Sequence, residues 1–403
     1  MAAVLDIFYS GVLVAFVLVW FSFTKLSRAG RFVRVLRRNR FALTLLVWAV
    51  FLGFLSLLLT NFSYFNRIHD VPEAVGAAVT GLLGGINPYA SNVVPRFSVH
   101  YSGYPSWSMG PYNYMPLDLL VYAGFEQVFR PLGEPGWFVL ANLLFSGVAM
   151  FLLNRLICVR LISFLPIAGL VSLFYSFDNG SLTFLLMVSS VCALKKSRTH
   201  PEALAIVLMG LAVLTKIYAA VPFVVLLAYE LQERLMSKDW RKLVHVAVAT
   251  CSSAVAAVAV MLPFGISHVL DAAVFFHANG ASRVGTSAGG TVLAEIALSS
   301  PYFEAIGILL VVSALLISLR FTSLNDRMVL IVLVFLLVAV KSSQSPLMML
   351  GLFLVLKMRE TVHPAPVTVD DPADRPLDSG VRQASPYSNS RAWSYWWQLR
   401  TFL

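Results

Sequence analysis

The stretch from His69 to Leu117 gathers side chains able to do chemistry. Asp70 opens it, Arg96 and His100 follow, and Asn87, Tyr89, Tyr112 and Tyr114 line an Asn-Pro-Tyr turn and a Tyr/Trp/Pro-rich end. A carboxylate set just beyond apolar chain can take a proton from a hydroxyl. Asp70 also suits a helix N-cap, since Pro72 follows two residues on and Asp is a favoured cap. The two roles are compatible. Three cations, Lys216, Arg283 and Arg96, can each hold a phosphate through charge-assisted hydrogen bonds. Each also reads as a side chain that reaches water or a lipid headgroup. Lys216 ends an apolar run, and a cation so placed is costly and therefore a functional candidate.

Other groups carry less. Asp178-Asn179-Gly180 reads as a tight turn, which its residue types explain without further chemistry. Cys158, Cys192 and Cys251, and His245, His268 and His277, have no metal-ligand spacing. No metal site is assigned, a divalent ion is not indicated, and no cofactor is expected. There is no Walker loop, no dinucleotide fingerprint and no nucleophile elbow.

The elements that must position these residues are apolar. Of 403 residues, 58% are hydrophobic and only 12% charged. Soluble domains carry about 25% charged residues, so the composition predicts a polytopic membrane protein. The net charge of +10 comes from basic residues clustered at the ends of apolar runs, which indicates membrane orientation and not nucleic acid. The connector 25–40 holds Lys25, Arg28, Arg31, Arg34, Arg37, Arg38 and Arg40 with no acid, and is expected in the cytoplasm.

That placement puts the loop 61–113 outside, with a short interfacial helix over 72–84 ended by Gly84-Gly85. The segment 117–130 is interrupted by Asp118, Glu126 and Arg130 and is read as re-entrant or surface-lying. The remaining runs then alternate as eleven crossings, at 4–24, 41–60, 137–154, 161–177, 181–194, 202–216, 218–231, 243–263, 303–320, 328–341 and 344–357. A second outside loop covers 264–302. The fold class is thus all-α, with a membrane domain over 1–358. The Pro/Asp/Ser/Arg-rich tail 359–403 is read as disordered and cytoplasmic, with an aromatic end.

Taken in order, these features resemble the GT-C superfamily of integral-membrane glycosyltransferases, and within it the glycosyltransferase 87 group of polyprenyl-phosphate-mannose-dependent enzymes. The matching residues are Asp70, then Gly85-Ile86-Asn87-Pro88-Tyr89, then Tyr114-Met115-Pro116-Leu117. Asn179-Gly180-Ser181 opens a later span, and Gly210, Lys216 and Pro222 follow. Met115 stands where the family pattern has proline. The resemblance covers roughly 1–265.

It implies transfer of one hexose, mannose first, from a polyprenyl-phosphate donor to a glycolipid or glycan on the outer face of the cell membrane, with inversion. Asp70 would be the base. Lys216, Arg283 and Arg96 would hold the donor phosphate. Asn87, Tyr89, Tyr112, Tyr114 and His100 would contact the substrates. The main rival is a transporter or flippase for a lipid-linked sugar, which calls for charges near mid-span and paired broken helices. A non-catalytic membrane scaffold would not need Asp70 and the outer cations to converge.

Overall fold

The computed structural model describes residues 70–99, 105–133, 136–157, 161–176, 178–196, 200–275, 303–321 and 323–338, with shorter pieces at 45–56 and 349–356. The expected span at 4–24, the residues 276–302 (Arg283 among them), His100 and the tail 359–403 lie outside the described residues. The side chains of Asp70 and Arg96 do too.

The described chain is predominantly helical. Helix α1 spans Asp70–Leu83. It begins at Asp70 itself, one position earlier than a cap reading of that residue requires. It ends in a Schellman motif. Ile86 N–H donates to the Gly81 carbonyl (2.8 Å) and Gly85 N–H to that of Leu82 (3.0 Å). Gly85 sits at φ +80°. That conformation favours a residue without Cβ.

A short antiparallel hairpin follows, β1 (Val94–Val99) and β2 (Pro105–Gly110). Beyond the helix expected over 72–84, the loop thus carries a strand pair that the all-α expectation did not include. Pro95 and Pro105 discourage a strand reading, but each strand of a two-stranded ribbon is an edge, where a missing N–H is tolerated.

Helix α2 (Pro116–Phe129) starts with proline at its first position, where the absent N–H costs nothing. It has 14 residues. At the rise of an α-helix that length covers about 21 Å, short of a hydrocarbon layer of about 30 Å. The bundle continues with α3 (Gly136–Ile157), α4 (Leu161–Tyr175), α5 (Ser181–Lys196) and α6 (Pro201–Val213). It closes with α7 (Ala220–Ser237), α8 (Trp240–Met261), α9 (Ile266–Val269), α10 (Phe303–Ser318) and α11 (Leu324–Val338). Apart from the four-residue α9, which falls in the expected outside loop 264–302, these bounds lie within six residues of the apolar runs.

Among the described residues, two helices, Gly136–Ile157 and Trp240–Phe264 (α8 with its 3-10 extension), are long and apolar enough to cross a membrane. Helix α6 is central, packed on α5, α7 and α8. It approaches α8 closely at Gly210, where a Cβ would meet Ser253 Oγ at 2.6 Å. Two apolar cores result. One fills the bundle from Ala149 to Leu356. The other joins α1, α2 and the start of α3 to Leu214, Phe264 and Val269.

Candidate functional site

The first loop is fixed to the bundle by its own polar side chains. Asn87 Nδ2 donates to the Phe264 carbonyl (2.7 Å), and Asn87 Oδ1 accepts from the Tyr89 N–H (3.0 Å). The Tyr89 hydroxyl donates to the Tyr114 carbonyl (2.8 Å), and Tyr112 N–H to that of Pro88 (2.8 Å). The Tyr89 ring meets Tyr112 and Phe264 edge-on at 5.7 and 5.2 Å, an arrangement that aromatic quadrupoles favour. Asn87, Tyr89 and Tyr112 therefore shape the loop, and the hydroxyls of both buried tyrosines are engaged within the protein. Leu117 N–H donates to the Leu214 carbonyl (3.1 Å), latching the start of α2 to the end of α6.

That latch sets Asp118, in the first turn of α2, into a sealed pocket. Its Oδ2 accepts from the Tyr112 hydroxyl (2.9 Å) and from Asn179 Nδ2 (2.7 Å). Burial pushes the Asp118 carboxyl up to about 7, against the lowering effect of the Lys216 charge and the two donated bonds. The Tyr112 phenol is raised by burial and then by Asp118, so it stays a donor.

One residue before Asn179 lies Asp178. Its Oδ1 accepts from the Gly180 N–H (3.1 Å), the turn bond that the sequence implies, and from Lys216 Nζ (2.9 Å). Lys216 follows the end of α6 with extended backbone (φ −146°, ψ 129°) before the 3-10 turn Ile217–Ala219. Its ammonium lies 5.0 Å from the Tyr114 ring centroid and 6.0 Å from that of Tyr218. Both rings are within cation–π reach. The pair is largely withdrawn from solvent, with side chains 8% and 17% exposed for Lys216 and Asp178.

Neutral bonds extend the cluster. Asn142 Oδ1 accepts from Tyr122 (2.6 Å) and from Ser181. Thr215 Oγ1 donates to the Ala212 carbonyl (2.6 Å), so the 2.7 Å contact with Thr183 has Thr183 as donor.

Of the residues singled out from sequence, Lys216, Tyr114, Tyr112, Tyr89 and Asn87 are thus brought together. Arg96 lies in β1 opposite Ser108, and Asp70 opens α1. Sequence reasoning missed Asp118 and Asn142 as members of the cluster. The signal was present for both: a carboxylate and an amide inside apolar helices are costly unless partnered. Among the described residues, no group of three or more His, Cys, Asp or Glu is placed to hold a metal ion. No family model, curated protein or solved structure matches the chain.

Proposed function

We propose that the chain is an integral-membrane glycosyltransferase of the GT-C type, moving one hexose, mannose first, from a polyprenyl-phosphate sugar to a glycolipid or glycan acceptor. The observation that carries this reading is the buried Asp178–Lys216 pair beside Tyr114 and Tyr218, at the loop end of the bundle. An ammonium has three N–H donors. One goes to Asp178, and the others serve the donor phosphate, joined by Arg283 and Arg96 from the outer loops. The acceptor oxygen attacks the anomeric carbon as the bond from that carbon to the phosphate oxygen breaks. The phosphate leaves with the electron pair, and the hydroxyl proton passes to Asp70. A phosphate is already a weak base, so no general acid is required; the site supplies a base and cations.

The membrane setting follows the apolar runs. Helix α8 exposes Val244, Val248, Val255 and Val258, a face suited to lipid. Eleven crossings with α1 and α2 outside the count put the loop end on the extracytoplasmic face. The connections 233–242 and 320–327 then lie in the cytoplasm. The ion pairs Asp178–Lys216 and Glu202–Arg234 sit at helix ends, which favours an enzyme over a transporter.

Membranes carrying the chain, incubated with radiolabelled polyprenyl-phosphate mannose and glucose, should yield a labelled extracytoplasmic glycan or glycolipid and free polyprenyl phosphate. Movement of intact lipid-linked sugar across a liposome without release of polyprenyl phosphate would establish the transporter instead. Cysteines introduced at Ser108, Ser197 and Ser237 test sidedness; labelling of Ser197→Cys from outside overturns the topology.

A further inference from the structure

Two buried oxygens in the cluster accept no hydrogen bond: Oδ1 of Asp118 and Oδ1 of Asn179. They belong to side chains already joined through the other half of each group, Asn179 Nδ2 donating to Asp118 Oδ2 at 2.7 Å. Both residues are 0% exposed. Two acceptors left over in a sealed pocket cost free energy, and two more donors would be needed if both stayed acceptors. One proton satisfies both. Placed on Asp118 Oδ1, it makes that oxygen a donor, and Asn179 Oδ1, on the amide already bonded to the other half of the carboxyl, is an acceptor for it. Turning the Asn179 amide over offers no escape, since it gives up the 2.7 Å bond and sets the amide oxygen against Asp118 Oδ2, acceptor to acceptor.

We infer that Asp118 is held as a neutral carboxylic acid donating to Asn179, and that this acid–amide ring is a positioning device fixing the 178–180 turn so that Asp178 meets Lys216. The ring spans elements that local structure does not connect, because Asp118 and Asn179 are 61 residues apart. Asp178 precedes Asn179 directly, so its direction toward Lys216 is set by how the amide is clamped.

The consequence for the donor pocket rests on the proposed function. The charged and titratable groups facing Asp118 are Tyr112, Tyr89 and Tyr122, Asp178 from the turn, and Lys216 from the α6–α7 junction. With Asp118 neutral, Asp178 and Lys216 balance, and an approaching phosphate meets no surplus negative charge. With Asp118 ionised, the pocket carries one, and an anionic donor is repelled.

The test uses the full chain in detergent or lipid and needs no donor. Infrared spectra at mildly acidic pH should contain the carbonyl band of a hydrogen-bonded protonated acid, shifted in D2O and absent from Asp118→Asn. Asn179→Leu should keep the band but move it to higher frequency, as expected when the acid loses its acceptor. Asp118→Asn replaces each bond of the ring, amide to amide, so its thermal midpoint should stay near wild type while Asp118→Leu falls well below.

The pH response has a definite sign. The folded chain keeps a proton that the unfolded chain releases, so this stabilisation is complete below the ordinary carboxylate range and is lost as pH rises through about 7. The wild-type midpoint should fall across that window and the Asp118→Asn midpoint should not. A wild-type spectrum lacking the band overturns the inference, as does an Asp118→Asn chain that fails to fold or melts with Asp118→Leu. Sugar transfer measured on the same samples is a separate readout. Loss of transfer with the band intact counts against the glycosyltransferase reading and leaves the acid in place.

Discussion

The two ends of α6 carry two buried polar clusters built on different plans. At its start, Arg234 Nη2 donates to Glu202 Oε1 (2.7 Å) and Glu230 Oε2 (3.0 Å), tying α6 to α7. Arg327 of α11 joins them, donating to Gln232 Oε1 (2.8 Å) with its guanidinium 5.0 Å from the Tyr229 ring. Glu202, Glu230 and Arg234 line a cavity of about 260 Å³; the Arg234 side chain is 18% exposed and that of Glu230 4%. At the other end the acids are aspartates, the long partners are Lys216, Tyr112 and Tyr122, and the short ones, Asn142, Asn179, Ser181, Thr183 and Thr215, are all fully buried.

Guanidinium groups clip helices together through glutamates, one of which, Glu230, is itself buried, whereas short amides and hydroxyls carry no charge to clip with. Short ones sealed inside give up hydration, and stability alone is a weak reason to keep them there. The difference teaches that the first end is a set of ion pairs between helices, while the second ties one ion pair into a network of amides, hydroxyls and phenols.

The strongest way to break that contrast is kinetic. Asp70→Asn should lower transfer by roughly 10²–10⁴-fold, the usual worth of a general base, while donor binding persists. Near wild-type transfer in that variant, with Glu73→Gln as control, would remove the loop end from the chemistry.

Next comes the buried pair. Lys216→Met leaves Asp178 without its ammonium and should cost about 3 kcal/mol in denaturation, with much of it recovered in the Lys216→Met/Asp178→Asn double variant. Additive losses would mean that the two residues act independently.

Gly210→Leu should cost about 1–3 kcal/mol by forcing α6 off α8 at Ser253, and both clusters should loosen together. Disturbance of one end alone, read by hydrogen exchange, would show that α6 does not couple them.

Arg234→Gln should have the smallest effect on transfer, leaving it nearly unchanged, while the loss of the cation beside the buried Glu230 should cost about 3 kcal/mol in denaturation. A tenfold loss of transfer there would erase the distinction between the ends.

Several helix ends were legible, because they fall at residues with one clear backbone consequence. Gly85 ends α1 with φ +80°, and Pro116 and Pro201 start α2 and α6. Asp118, Glu126 and Arg130 marked 117–130 as an exception, and the helix found there is short. The hairpin was not legible, since its prolines point away from strand and its pairing depends on register. The cluster was only half legible. The Asp178 turn bond to Gly180 is local and follows from residue type, whereas its bond to Lys216 crosses 38 residues and depends on how the helices pack. Periodicity ranks residues by face and not by partner, so Lys216 stood out as costly while Asp118 read only as an interruption.

The bond from Asn87 to the Phe264 carbonyl bridges 177 residues, and that span sets a schedule for biosynthesis. At about 5–20 residues per second, the loop waits on the order of ten to thirty-five seconds after Asn87 is made before its anchor exists. Until then the Tyr89 ring lacks Phe264, and the closure entropy of a long chain segment has yet to be met. The loop end therefore cannot lock until residue 264 has been made, and a nascent chain halted before it should leave the loop open to proteases.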